Sequence, residues 1–199
     1  MGLRLLETLA GATIGVVVSA VVLPAHSERR VRALAAGVVR AATEALDRAT
    51  TRGVIAERDA VLHEEIRDVD RALAELRNAL RPFWGPNIPV EPRAVTRQGR
   101  ISAALAMATR RLASVPLSDG GERGALLRAI GERMTENCRA VADALERERT
   151  AKLQSVDALV AQLAAMDDAA EDGRGNQVVS LLTDMDAIVR ELARGAASD

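Results

Sequence analysis

Apolar residues recur along most of this chain in steps of four and three, and that spacing constrains its fold more than any other feature. Val31, Ala35, Val38, Ala42, Ala45 and Ala49 form one run, and Leu62, Ile66, Val69, Leu73, Leu76 and Leu80 form a second. Such steps return to one face of a helix at 3.6 residues per turn, whereas a half-buried strand needs steps of two. Ile101, Leu105, Ala108, Leu112 and Val115 mark a third helix, and Leu127, Ile130, Met134, Cys138, Val141 and Leu145 a fourth. The stripe resumes at Leu153, Val156, Val160 and Leu163, so the fourth helix is expected to run to about residue 170. Val178, Leu181, Met185, Ile188 and Leu192 mark the last helix, with a frayed tail expected from Gly195. The expected fold class is all-α: an antiparallel helical bundle or set of coiled-coil hairpins over residues 26–199.

Composition supports this. One Phe, one Trp and no Tyr leave the apolar content to Ala, Leu and Val. All-β folds and base-stacking nucleic-acid modules both need more aromatic residues. The 27 basic and 28 acidic residues sum to −1, so no global field attracts a polyanion and no nucleic-acid partner is expected. The breaks are also legible. Thr50-Thr51-Arg52-Gly53 weakens the helical pattern and is the expected bend, a continuous helix being the alternative. Residues 81–93, RPFWGPNIPVEPR, hold four prolines and must form an extended connector. Phe83 and Trp84 at its start either plug the end of the bundle, the commoner use, or return to a membrane interface. Ser118-Asp119-Gly120-Gly121 reads as a turn, and residues 171–176 as a loop.

Residues 9–25, LAGATIGVVVSAVVLPA, carry no charge. Counted from Leu5, the stretch gives about 20 helical residues, roughly 30 Å, which matches a hydrocarbon core. We therefore expect a transmembrane helix within residues 1–25. Gly11, Gly15 and Ser19 recur every four residues and offer a small-residue face for close packing against another membrane helix. Arg29, Arg30 and Arg32 follow, against only Arg4 before the segment, which places the bulk of the chain in the cytoplasm. A cleaved signal peptide fits less well: Glu7 is misplaced in an n-region, Leu23 suits a cleavage site poorly, and the arginine cluster opposes export. A buried soluble hairpin helix is a third reading.

Little chemistry is visible. His63-Glu64-Glu65 lacks the second His of a zinc-protease motif, position 67 being Arg. Neither His26 nor His63 follows a Glu by three residues, as di-iron bundles require. No phosphate-cradling glycine motif occurs. Asp184-Met185-Asp186 and Asp167-Asp168 read as helix-surface charge. Cys138, the single cysteine, lies on an apolar stripe and reads as a small core residue. No catalytic, metal or cofactor site is expected, and no enzymatic activity.

Residues 4–24 place an Arg, then Glu7 and Thr8, before a Gly-rich apolar helix that ends at Pro24. This stretch is similar to the last membrane helix of the fusaric acid resistance (FUSC) and aromatic acid exporter family, in which a cytoplasmic, Arg- and Glu-rich helical region follows. The resemblance implies inner-membrane efflux of small organic, often aromatic, acids, driven by the proton gradient without a bound cofactor. One membrane helix cannot enclose a pathway, so the resemblance implies the C-terminal portion of a larger permease, a truncated gene product, or a subunit that needs other membrane helices as partners, from a homo-oligomer or a permease subunit. Glu7 is expected to cap the outer end of the helix, a proton-coupled carboxylate being the sharper alternative. The competing function is a single-pass or soluble coiled-coil interaction module with no transport role.

Overall fold

The computed structural model describes residues 29–50, 55–80, 93–115, 121–147, 149–168 and 174–196. The expected membrane helix with Glu7, Gly11, Gly15 and Ser19, the bend at Gly53, the connector with Phe83 and Trp84 and most of the turn before Gly121 lie outside the described residues. Among those described, the protein is all-α. Helix α1 covers residues 29–50, followed by α2 (Ile55–Leu80), α3 (Arg93–Ala113), α4 (Gly121–Arg147), α5 (Asp157–Asp168) and α6 (Arg174–Ala196). No helix among the described residues is long and apolar enough to cross a membrane.

The predicted stripes form the core. Every residue of the α1 run, from Val31 to Ala49, is buried, as are Leu62, Val69, Leu73, Leu76 and Leu80 of α2. The α1 face is wider than its seam, because Ala36, Val39 and Leu46 are buried too. Thr43, Thr50 and Thr109 also enter the interior. Each hydroxyl donates to the carbonyl four residues back, at 2.7 Å to Val39, 2.9 Å to Leu46 and 3.0 Å to Leu105. These three hydroxyls are thereby satisfied within their own helices, at little cost to packing.

Cross-helix pairs report which helices lie side by side. Arg48 of α1 faces Glu65 of α2 at 3.9 Å, and Arg110 of α3 bonds Asp70 of α2 at 3.0 Å. Arg97 and Gln98 of α3 meet Glu191 and the Gly195 carbonyl of α6 at 2.8 Å each, while Met107 and Arg111 share a depression with Leu181 and Asp184, so those two helices are antiparallel. Helix α1 runs antiparallel to α4, with Arg40 beside Glu146 and Thr50 beside Gly131. Exposed pairs of this kind add little stability individually; here they report register. The Gly195 contact also corrects an expectation, since α6 continues to Ala196 instead of fraying at Gly195.

A second correction concerns α4, which stops at Arg147. The Arg149 amide closes back on the Ala144 carbonyl at 3.2 Å, a six-residue closure that ends the helix. The chain then runs irregularly from 149 to 156, back along α4. Buried Asn137 holds it: its Nδ2 donates to the Gln154 carbonyl and its Oδ1 accepts the Gln154 amide, both at 2.8 Å. Arg133 donates to the Ser155 carbonyl at 3.2 Å, and Ser155 Oγ accepts the Asp157 amide at 3.2 Å where α5 begins. Ala151 and Leu153 are half-buried while Lys152 and Gln154 are exposed, an alternation in steps of two. The apolar spacing from Leu145 to Val156 mimicked a helix, but an isolated Asn side chain satisfied both backbone groups that a continuing helix would have used.

Two helical glycines are expected to respond in opposite directions. A methyl at Gly131 would overlap Thr50, whose hydroxyl is held by Leu46. Gly131→Ala should therefore lose about 1–3 kcal/mol to overpacking, outweighing roughly 1 kcal/mol of helix propensity. Gly37 has nothing within 4 Å of such a methyl, so Gly37→Ala should raise the unfolding midpoint. Thermal unfolding of both variants checks this; a higher midpoint for Gly131→Ala would refute the close α1–α4 contact. Asn137→Ala should cost about 2 kcal/mol, two hydrogen bonds at roughly 1 kcal/mol each. Hydrogen exchange should show the Gln154 amide losing protection while the Val141 amide keeps it.

Candidate functional site

The α1–α4 register determines what meets at the start of α1. With Arg40 opposite Glu146 and Thr43 beside Cys138, the first described turn of α1 reaches the last turn of α4. Between them lies an open groove of about 390 Å³, lined by Arg29, Arg32, Ala33, Leu145, Glu146 and Arg147. Two of the three arginines expected to set membrane orientation thus share a groove. Arg29 and Arg30 are exposed and Arg32 is half-buried. Arg147 was legible in the sequence only as part of a charged run, because nothing in the spacing reveals which helix end α1 will meet.

The acid in this groove is engaged. Arg40 grips Glu146 through both guanidinium nitrogens, each at 2.6 Å, and lies 3.9 Å from Asp143. The Arg40 hydrogen bond holds the Glu146 carboxyl below its usual pKa. A bidentate pair of this kind is the strong form of an ion pair. The groove therefore presents arginine as its dominant charge, over an apolar floor of Ala33 and Leu145.

A second cluster joins α5 to α6. Arg190 bonds Asp186 at 2.6 Å and Asp157 at 2.7 Å, and Ser155 Oγ donates to Asp157 at 2.8 Å. Asp186 is only 7% exposed, which corrects the reading of residues 184–186 as surface charge. It stands four residues after Leu182 and three before Val189, both buried, so helical phase turns it inward while Asp184 stays exposed. Burial pushes the Asp186 carboxyl above its ordinary value despite Arg190. The exposed Asp157 carboxyl is held below its own value, chiefly by the Arg190 hydrogen bond. Burial drives the nearby Cys138 thiol up to about 12, so it is protonated at neutral pH and is not a nucleophile.

The structure brings together no catalytic constellation among the described residues. His63 is exposed on α2, and no group of three or more His, Cys, Asp or Glu side chains there could hold a metal ion. A second depression, about 490 Å³, lies between α3 and α6 and includes Met107, Ala108, Arg111, Leu181, Asp184 and Ile188. Met107, at 45% exposure, is the large apolar side chain most open to solvent among the described residues. Comparison with models of known protein families, with curated proteins and with solved structures finds no match to this chain.

The two carboxylates on Arg190 carry opposite pH signatures. Asp186 has a folded pKa above its unfolded value near 3.8, so the native state takes up its proton first. Its contribution to stability therefore grows as pH falls from neutral toward that range. Asp157 acts conversely: its contribution is complete above about 3.8 and is lost as pH falls through its lower folded value. Wild type should gain stability relative to Asp186→Asn between about pH 7 and about pH 4.5, as measured by denaturant unfolding. A difference that does not change with pH would show that Asp186 titrates normally.

Proposed function

We propose that this chain is a membrane-anchored helical domain of an efflux assembly. In this reading residues 9–25 cross the inner membrane, and the bundle stands on the cytoplasmic face, where it serves assembly or regulation of a small-organic-acid permease. The observation that carries the orientation is the arginine groove at the start of α1, the end of the bundle where the chain leaves its uncharged segment. Positive charge beside a membrane segment favours the cytoplasmic side. The efflux part of the reading is supported by the similarity of residues 4–24 to the exporter family's last membrane helix. Gly11, Gly15 and Ser19 would pack against the other membrane helices that form the pathway.

The depression beside Met107 favours a second reading, an interaction module that docks partner helices and has no transport role. Two measurements separate them. The full chain should stay with the membrane fraction after alkaline carbonate extraction, and release as a soluble monomer without detergent would overturn the anchor. Gly11→Leu with Gly15→Leu should dissociate a membrane assembly in mild detergent. An assembly unchanged by both substitutions would favour association through the bundle.

A further inference from the structure

We propose that the α3–α6 face around Met107 docks a second copy of this chain, through a two-fold axis that crosses α3 at Met107. The proposal goes beyond both readings above and holds whether or not residues 9–25 span a membrane. The hollow between the two helices measures about 490 Å³ and is bordered by the small side chains of Ala104, Ala108 and Ala187. Met107 stands beside it at 45% exposure, the large apolar side chain most open to solvent among the described residues. An unbranched thioether adapts to irregular hollows, and Met is common on surfaces that take partners. Each copy thus offers a knob and a hollow for the other's knob.

The charges around the hollow select a copy of the same chain over an acidic or a basic partner. Its lining carries one guanidinium, Arg111, and one carboxylate, Asp184; both are exposed, and neither has an ion-pair partner among the described residues. By contrast, Arg97 nearby is paired with Glu191, Arg110 with Asp70 and Arg190 with Asp186. A patch with one free charge of each sign complements itself, because across a two-fold axis residue i meets j and j meets i. A uniformly charged partner would meet one like charge for each opposite one. The register brings the charges together. Arg97 faces Glu191 on antiparallel helices, so seven residues onward along α3 and seven back along α6 bring Ala104 level with Asp184. The axis at Met107 runs the two copies of α3 antiparallel. Arg111 lies about 6 Å beyond that axis and Ala104 about 4.5 Å before it, so the two come level across the copies to within one residue's rise. Arg111 of each copy therefore meets Asp184 of the other, and one interface holds the pair twice.

The test measures the oligomeric state of the full chain in a non-ionic detergent by sedimentation equilibrium. The wild type and the Gly11→Leu, Gly15→Leu double variant should both dimerise, with a dissociation constant in the micromolar range or tighter. Arg111→Glu or Asp184→Arg alone sets like charges together twice per dimer and should weaken dimerisation about tenfold or more. Both substitutions in one chain reverse each pair and should restore the wild-type affinity to within about threefold, a recovery that misfolding would not give. Met107→Cys should form a disulfide-linked dimer on oxidation with copper phenanthroline, the buried Cys138 staying reduced. Glu132→Cys, on the exposed side of α4, should not. A monomer at about 100 µM chain would overturn the proposal, as would a dimer indifferent to both charge reversals. A dimer lost on Gly11→Leu and Gly15→Leu alone would place association in residues 1–25 and overturn it as well. Single reversals that abolish dimerisation without recovery in the combined variant would show that Arg111 and Asp184 do not meet, which sinks the two-fold docking.

Discussion

The close approach of α1 to α4 is the constraint on which the rest of the structure depends. Helix α1 buries Ala35, Ala36, Ala42, Ala45 and Ala49, residues too small to hold a partner helix at a distance. Gly131 answers them on α4, where even a methyl group would meet Thr50. Small residues contribute less apolar area each than Leu, but they let backbones approach and bring many atoms into contact. That contact sets one register, and the register carries Arg40 to Glu146, Thr43 to Cys138, and the start of α1 to the end of α4. The arginine groove follows from packing several turns away.

Polar groups inside the bundle specify where helices stop. Thr43, Thr50 and Thr109 satisfy their hydroxyls along their own helices. Asn137 instead reaches outward and takes both backbone groups of Gln154, which turns a potential long helix into α4, a returning segment and α5. The returning segment ends at Ser155 and Asp157, and Asp157 then meets Arg190 of α6. One side chain on α4 thus determines where α5 starts and which charge Arg190 finds.

Charge in this protein is local. With a net charge of −1, the chain has no overall field to draw in a ligand. Several of its arginines pair with carboxylates across helix pairs, as at Arg97, Arg110 and Arg190. At the groove by the start of α1 the lining acid, Glu146, is held by Arg40, which is not among the lining residues. Salt screens such exposed charges beyond about 8 Å at physiological ionic strength, so each cluster acts at short range.

By itself the sequence determined the all-α class and the faces of the helices, because the four–three spacing is a local property of each segment. It placed Val31 to Ala49, Leu127 to Leu145 and most of the α2 and α6 stripes correctly in the core. It also pointed to Arg29, Arg30 and Arg32 as a charged cluster. The tertiary structure alone decided the end of α4, since the Asn137–Gln154 clamp joins residues 17 apart that no periodicity connects. It alone turned Asp186 inward against Arg190 and brought Arg147 beside Arg29 and Arg32. Periodicity records which side of a helix is apolar, whereas a site assembled between helices depends on their register. That register is settled by contacts such as Thr50 against Gly131, 81 residues away along the chain.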